Sequence, residues 1–132
     1  MSNVFKVEII NPEKSFLSKE SVSEVVVPAF EGDMGILKNH ISIISFLKPG
    51  IVKIFEGPNE ENYFVEDGIV EFKNNCLSIL TSNILNIKKM DKNIVRDALA
   101  KAEQETVKND ISDQNKYLID QKIEVLKNLT LN

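Results

Sequence analysis

The first two thirds of the chain carries apolar residues at every second position, in short runs separated by turn residues. Phe5, Val7 and Ile9 alternate with Lys6 and Glu8, the period of a half-buried strand. Asn11-Pro12-Glu13 is a turn, and Phe16-Leu17 begins a short second strand. The β-branched run Val22–Val27 reads as one strand ending at Pro28. Met34–Leu37 and Ile41–Leu47 are two more short strands. At Lys48-Pro49-Gly50 the proline fixes φ, and Gly50 is expected to accept the positive φ of a type II corner. Gly50–Phe55 and Tyr63–Glu66 then pair about the exposed turn Glu56–Glu60. After Asp67-Gly68, Ile69–Phe72 and Cys76–Leu80 pair about Lys73-Asn74-Asn75. Eight to ten short antiparallel strands at this spacing predict a β-sandwich or flattened barrel.

Near Met90 the period changes. Asp91 is placed to cap a helix from Lys92 to about Lys108, with Ile94, Val95, Ala98, Leu99 and Ala102 on one face. Asn109–Asp113 breaks it, and Ile119, Ile123, Leu126 and Leu129 stripe a second helix. Two such helices form an antiparallel hairpin. Neither apolar face supports a helix of this length in water, so the hairpin must lean on itself, on the strands or on another subunit. The division expected is a strand domain over residues 1–88 and a helical hairpin over 89–132.

Composition narrows the function. A net charge of −4, with bases spread thinly among acids, argues against nucleic-acid binding. The lone Cys76 excludes an intrachain disulfide and is expected to act as a small core hydrophobe. The longest uncharged apolar run, near Ile41–Leu47, is far short of the ~18 residues of a membrane span, and the N-terminus lacks a signal pattern. Membrane association is therefore expected only through a partner.

The stretch Glu31-Gly32-Asp33-Met34-Gly35-Ile36-Leu37-Lys38-Asn39-His40 holds two of the five glycines and the one histidine. Gly32 and Gly35 allow tight turning, Met34 and Ile36 give the stretch apolar anchors, and Asp33 and His40 are free to face outward. No catalytic constellation accompanies it. His40 lacks further His or Cys residues for a metal site, and its ring is expected to find a backbone carbonyl or a protein contact. Glu31 and Asp33 are expected to point to opposite faces, which speaks against paired-acid catalysis. Gly32–Gly35 lacks the further glycine and the helix start of a phosphate loop. A shaped surface without chemistry points to an interaction protein rather than an enzyme. A β-sandwich adaptor of some other complex stands as the alternative function.

Glu31-Gly32-Asp33-Met34-Gly35-Ile36, followed by His40 and then by Leu47-Lys48-Pro49-Gly50, resembles the epsilon subunit of bacterial F-type ATP synthases, the counterpart of mitochondrial delta. Asp67-Gly68-Ile69-Val70-Glu71 is similar to that family's Gly-Gly-hydrophobic-hydrophobic-Glu strand, with Asp67 in place of the first glycine. The resemblance implies a non-catalytic rotor subunit of the central stalk. Its sandwich would grip the gamma subunit and stand on the membrane-embedded c-ring, on the cytoplasmic face of a bacterial inner membrane. Carried over by position, Asp33 and His40 would face the ring, with Glu31, Gly32, Met34, Gly35 and Ile36 shaping the contact and Pro49-Gly50 making a turn. The helices would regulate ATP hydrolysis by reaching the alpha and beta subunits. Some members bind ATP through an Ile/Leu-Asp-x-x-Arg-Ala run. Here Asp91 keeps the acid, but Ile94 and Val95 replace the arginine and alanine, and Arg96 comes two positions late. That turns Arg96 about 200° around the helix, so no cofactor, ATP included, is expected.

Overall fold

The computed structural model describes residues 3–12, 14–89, 92–106 and 113–130. Ten strands precede two helices in the described residues. They are β1 (Phe5–Asn11), β2 (Lys14–Val22), β3 (Glu24–Ala29), β4 (Gly32–Ile36), β5 (Ile43–Leu47), β6 (Gly50–Glu56), β7 (Asn59–Val65), β8 (Gly68–Lys73), β9 (Cys76–Leu80) and β10 (Ile84–Asn86). A short 3-10 turn at Ile87–Lys89 leads to α1 (Lys92–Thr106) and α2 (Asp113–Thr130). The expected ends of the first helix, Asp91 and Lys108, lie outside the described residues, as does most of the break between the helices.

The strands form one curled sheet in the order β10-β7-β6-β3-β5-β8-β9-β1-β2, with β4 paired to β3. Two expectations are corrected. Pairing is not wholly antiparallel, because β1 runs parallel to β9 from Lys6↔Cys76 to Ile10↔Leu80. Nor is Val22–Val27 one strand: it divides at Ser23, whose amide and hydroxyl both donate to the Phe55 carbonyl, at 2.8 and 3.0 Å. That fixed corner lets β2 pair with β1 and β3 pair with β6, at separate places in the sheet.

Alternation then builds the core. Phe5, Val7 and Ile9 of β1 meet Val25 and Val27, Val52 and Ile54, Val70 and Phe72, and Leu77 and Ile79, all inside the curl. The rings of Phe5 and Phe72 meet edge to face at 5.5 Å. Cys76 is only half-buried, on the side of β9 away from Leu77 and Ile79, so it is not the core residue expected. Where β2 nears β6 and β7, Lys19 Nζ bridges Glu56 Oε1 at 2.6 Å and Glu61 Oε1 at 3.2 Å. Tyr63 donates to the other Glu61 oxygen and meets Phe16 edge to face.

The outside of the curl carries two apolar rows set by register. Ile51, Phe64 and Leu85 lie side by side across β6, β7 and β10, and the helices cover them. Val95 of α1 and Leu126 of α2 are buried with Phe64, and Ala98, Leu99, Val125 and Leu129 pack around them. Ile94 lies at the margin of that stripe, exposed. The second row, Ile10, Leu80, Ile69 and Phe46, crosses β1, β9, β8 and β5. No described element covers it: Phe46 is 60% exposed, Leu80 50% and Ile69 41%.

Candidate partner-binding surface

Register assigns each turn to one of the two ends of the sheet. Ala29 pairs with Leu47, Leu47 with Gly68 and Ile69 with Leu80. The Phe30-Glu31, Lys48-Pro49, Glu66-Asp67 and Thr81-Ser82 segments therefore share one end, called the foot here. The 37–42 loop and the Asn74-Asn75 turn lie at the opposite end, beyond the pairs Ile43↔Phe72 and Lys73↔Cys76.

The strand expected at Met34–Leu37 runs instead over Gly32–Ile36, and the Glu31–His40 stretch is a strand with a loop at either end. Glu31 and Asp33 stand at the foot, and His40 stands at the far end beyond β4. Five strand residues at ~3.3 Å each put roughly 16 Å between the two ends. Glu31 and Asp33 do not point apart: both line a shallow concavity with Met34, Ile44 and Ser45, as residues two apart in extended chain share a side. The Ser45 hydroxyl donates to Glu31 Oε2 at 3.3 Å, while Asp33 is exposed opposite Pro28. Ile36 belongs to the core, fully buried opposite Val25, and Met34 packs against that core.

The glycines serve different ends. Gly32 has φ +132°, a conformation that L side chains rarely adopt, but Gly35 has no such φ, and a Cβ there would make an ordinary contact with Glu24. Gly50 also lacks the positive φ expected of it. Its requirement is space, since a Cβ would stand 2.5 Å from Cβ of Pro28. Pro49 beside it is buried, so the Pro49-Gly50 corner sets the close approach of β6 to β3.

At the far end His40 is held rather than presented. Nδ1 lies 2.7 Å from the Ile41 carbonyl, and the ring meets the Phe72 ring edge to face at 5.9 Å. Asn39, with φ +68°, donates its amide to Asn75 Oδ1 at 2.7 Å, and Asn75 Nδ2 donates back to Asn39 Oδ1 at 3.1 Å. The hairpin turn at Asn74-Asn75, where both residues have positive φ, was legible in the sequence, but its bonds to Asn39 were missed because nothing local joins the two loops. Sequence reasoning also missed the Phe46–Ile69–Leu80 row, which becomes visible only with the cross-strand register. Arg96 is exposed on α1. Asp91 lies outside the described residues.

Residues 4–87 match the family model for the β-sandwich domain of the ATP synthase delta/epsilon chain. The chain belongs to this family. It is 70% identical to the ATP synthase epsilon chain of Pelagibacter ubique (strain HTCC1062), over 98% of this chain and 99% of that one. It is 36% identical to the epsilon chain of Dichelobacter nodosus, over 78% of this chain and 72% of that one. A chain of the Euglena gracilis mitochondrial ATP synthase cryo-EM structure (OSCP/F1/c-ring) superposes with a TM-score of 0.74 at 19% identity, covering 99% of this chain and 81% of that one. A chain of the Tetrahymena thermophila mitochondrial ATP synthase central stalk and c-ring gives 0.72 at 17% identity, covering 98% of each. Within the delta/epsilon family the chain is a non-catalytic subunit. The family motif residues divide between the ends of the sheet, with Glu31, Asp33 and Pro49-Gly50 at the foot and His40 at the far end.

Proposed function

We propose that this chain works in the central stalk of a proton-translocating ATP synthase, joining the gamma subunit to the c-ring without doing chemistry itself. The observation that carries this reading is the uncovered row Phe46–Ile69–Leu80. The fold makes two apolar rows and covers one with its own helices. An apolar patch left to solvent marks a partner site, and a row of cross-strand neighbours is a flat ledge for a helical partner such as gamma. At the foot, just beyond that ledge, Asp33 is exposed and Glu31 lines the same concavity. Carboxylates in that position suit basic groups of a ring loop, through charge-assisted hydrogen bonds. His40, remote from the foot, acts in this reading by stiffening the far end.

No helix among the described residues is long and apolar enough to cross a membrane. Attachment through the complex, on the cytoplasmic face of a bacterial inner membrane, fits that arrangement. The strand domain, 1–88, carries the stalk contacts, and the helical hairpin, 89–132, is the regulatory part that would meet alpha and beta subunits. An adaptor role in a different complex finds no support among the relatives named above.

The test is twofold. A tagged chain drawn from detergent-solubilised membranes should bring gamma and the c-ring with it. Asp33→Ala should cut proton-driven ATP synthesis severalfold while leaving the gamma contact in place. Wild-type synthesis rates in Asp33→Ala membranes would remove the foot contact from the reading.

A further inference from the structure

The uncovered row on the strand domain has a carboxylate on each flank. Register sets Phe46 of β5, Ile69 of β8, Leu80 of β9 and Ile10 of β1 side by side on the outer face. Two positions along each strand, toward the far end, alternation brings Ile44, Glu71, Ser78 and Glu8 to the same face. They make a second row in register, Ile44↔Glu71, Glu71↔Ser78 and Ser78↔Glu8. On three of the four strands the apolar surface therefore stops after one residue.

On the foot side, Asp67 lines one concavity with Ile10, Ile69 and Leu80. Its Oδ1 accepts from the Ser82 amide at 3.1 Å and from the Ser82 hydroxyl at 2.7 Å, which holds the carboxylate at the rim of the row. Asp67 stands where the family strand has its first glycine, so the motif itself does not supply this charge. On the other flank, Glu8 is occupied by Lys6 Nζ at 2.9 Å. Glu71 is exposed, and no described residue forms an ion pair with it.

A strip of this form sets the shape of what covers it. Neighbouring strands lie ~4.8 Å apart, so the row from Phe46 to Ile10 spans roughly 14 Å. An α-helix returns a side chain to one face every three or four residues, at a rise of about 4.5–6 Å, which is close to one contact per strand. About ten residues, or three turns, cover the row. A helix aligned with the strands would instead press its apolar stripe onto Glu71 or Glu8, and burying a carboxylate without a partner is costly. Given the gamma-binding reading of the ledge, on which this rests, we propose that a gamma helix lies across the strands. Its apolar stripe covers the row, and lysine or arginine on its two borders meets Asp67 on the foot side and Glu71 on the other.

The affinity of purified gamma for the isolated full chain, measured across salt, tests it. Glu71→Gln and Asp67→Asn should each weaken binding about three- to fivefold at ~50 mM salt and less than about twofold at ~500 mM. Glu71→Lys should weaken it more than about tenfold, and a Lys→Glu or Arg→Glu change on one gamma helix should restore it. Glu60→Gln, in the exposed β6–β7 turn, should leave binding unchanged. Both flanking carboxylates are exposed, so melting temperatures should hold in every variant. Phe46→Thr/Ile69→Thr separates the two levels. Wild-type affinity in that variant removes gamma from the ledge and the helix with it. Lost affinity there, with Glu71→Lys and Asp67→Asn binding like the unaltered chain at low salt, overturns the charged borders alone. Rescue of Glu71→Lys only by a base on a gamma strand or loop overturns the helix.

Discussion

At Gly68 two constraints coincide. Its φ is +153°, and a Cβ would stand 2.6 Å from the Leu80 carbonyl oxygen, a backbone atom that cannot swing aside. Gly57 has φ +58° with open space around it. Gly68→Ala should therefore cost about 3 kcal/mol, from overpacking and backbone strain together, and Gly57→Ala about 1 kcal/mol from strain alone. Urea midpoints of the two variants check the ordering. Turn chemistry of this kind was legible in the sequence, since every glycine was read as a turn or shaping residue. What each glycine does was not. Gly50 and Gly35 have ordinary φ, and the crowding of Gly50 against Pro28 exists only once β6 lies beside β3.

At the scale of elements, the period-two and helical patterns placed nearly every strand and both helices. Residues separated by long stretches of chain were beyond such reading. Nothing local to Phe5–Asn11 tells that it runs parallel to Cys76–Leu80, and nothing local to Lys19 names Glu56 and Glu61 as its partners. That network has a pH consequence. The Tyr63 hydroxyl and the Lys19 ammonium hold the Glu61 carboxyl below its ordinary value, and Glu56 raises Lys19 above its own. A depressed carboxyl gives stability that is present above its unfolded value, near 4.5, and lost as pH falls through the folded value. The raised Lys19 gives stability that is full below its ordinary 10.5 and lost only as pH rises through the folded value. Glu61→Gln should therefore lower stability at pH 7 and flatten its decline below about pH 4.5, as read from urea midpoints across pH. A decline as steep as that of the unaltered chain would remove Glu61 from the account.

For the whole molecule, the architecture and the family were legible early, because motif, strand count and helical tail agree. The placing of the site was only half legible. Glu31, Asp33 and His40 were read as one surface facing the ring, but the strand through the middle of the stretch, whose Ile36 must reach the core, carries its two ends apart. The ledge was missed because Phe46, Ile69 and Leu80 come from three different strands and become neighbours only through register. Its use as the gamma-binding ledge is the central claim, and one measurement bears on it most directly. In the double variant Phe46→Thr/Ile69→Thr, both side chains point to solvent and keep strand-forming chemistry without opposing like charges, so the melting temperature of the isolated chain should stay close to its original value. The tagged double variant should nevertheless fail to bring gamma out of solubilised membranes. Recovery of gamma at the wild-type ratio would contradict the account.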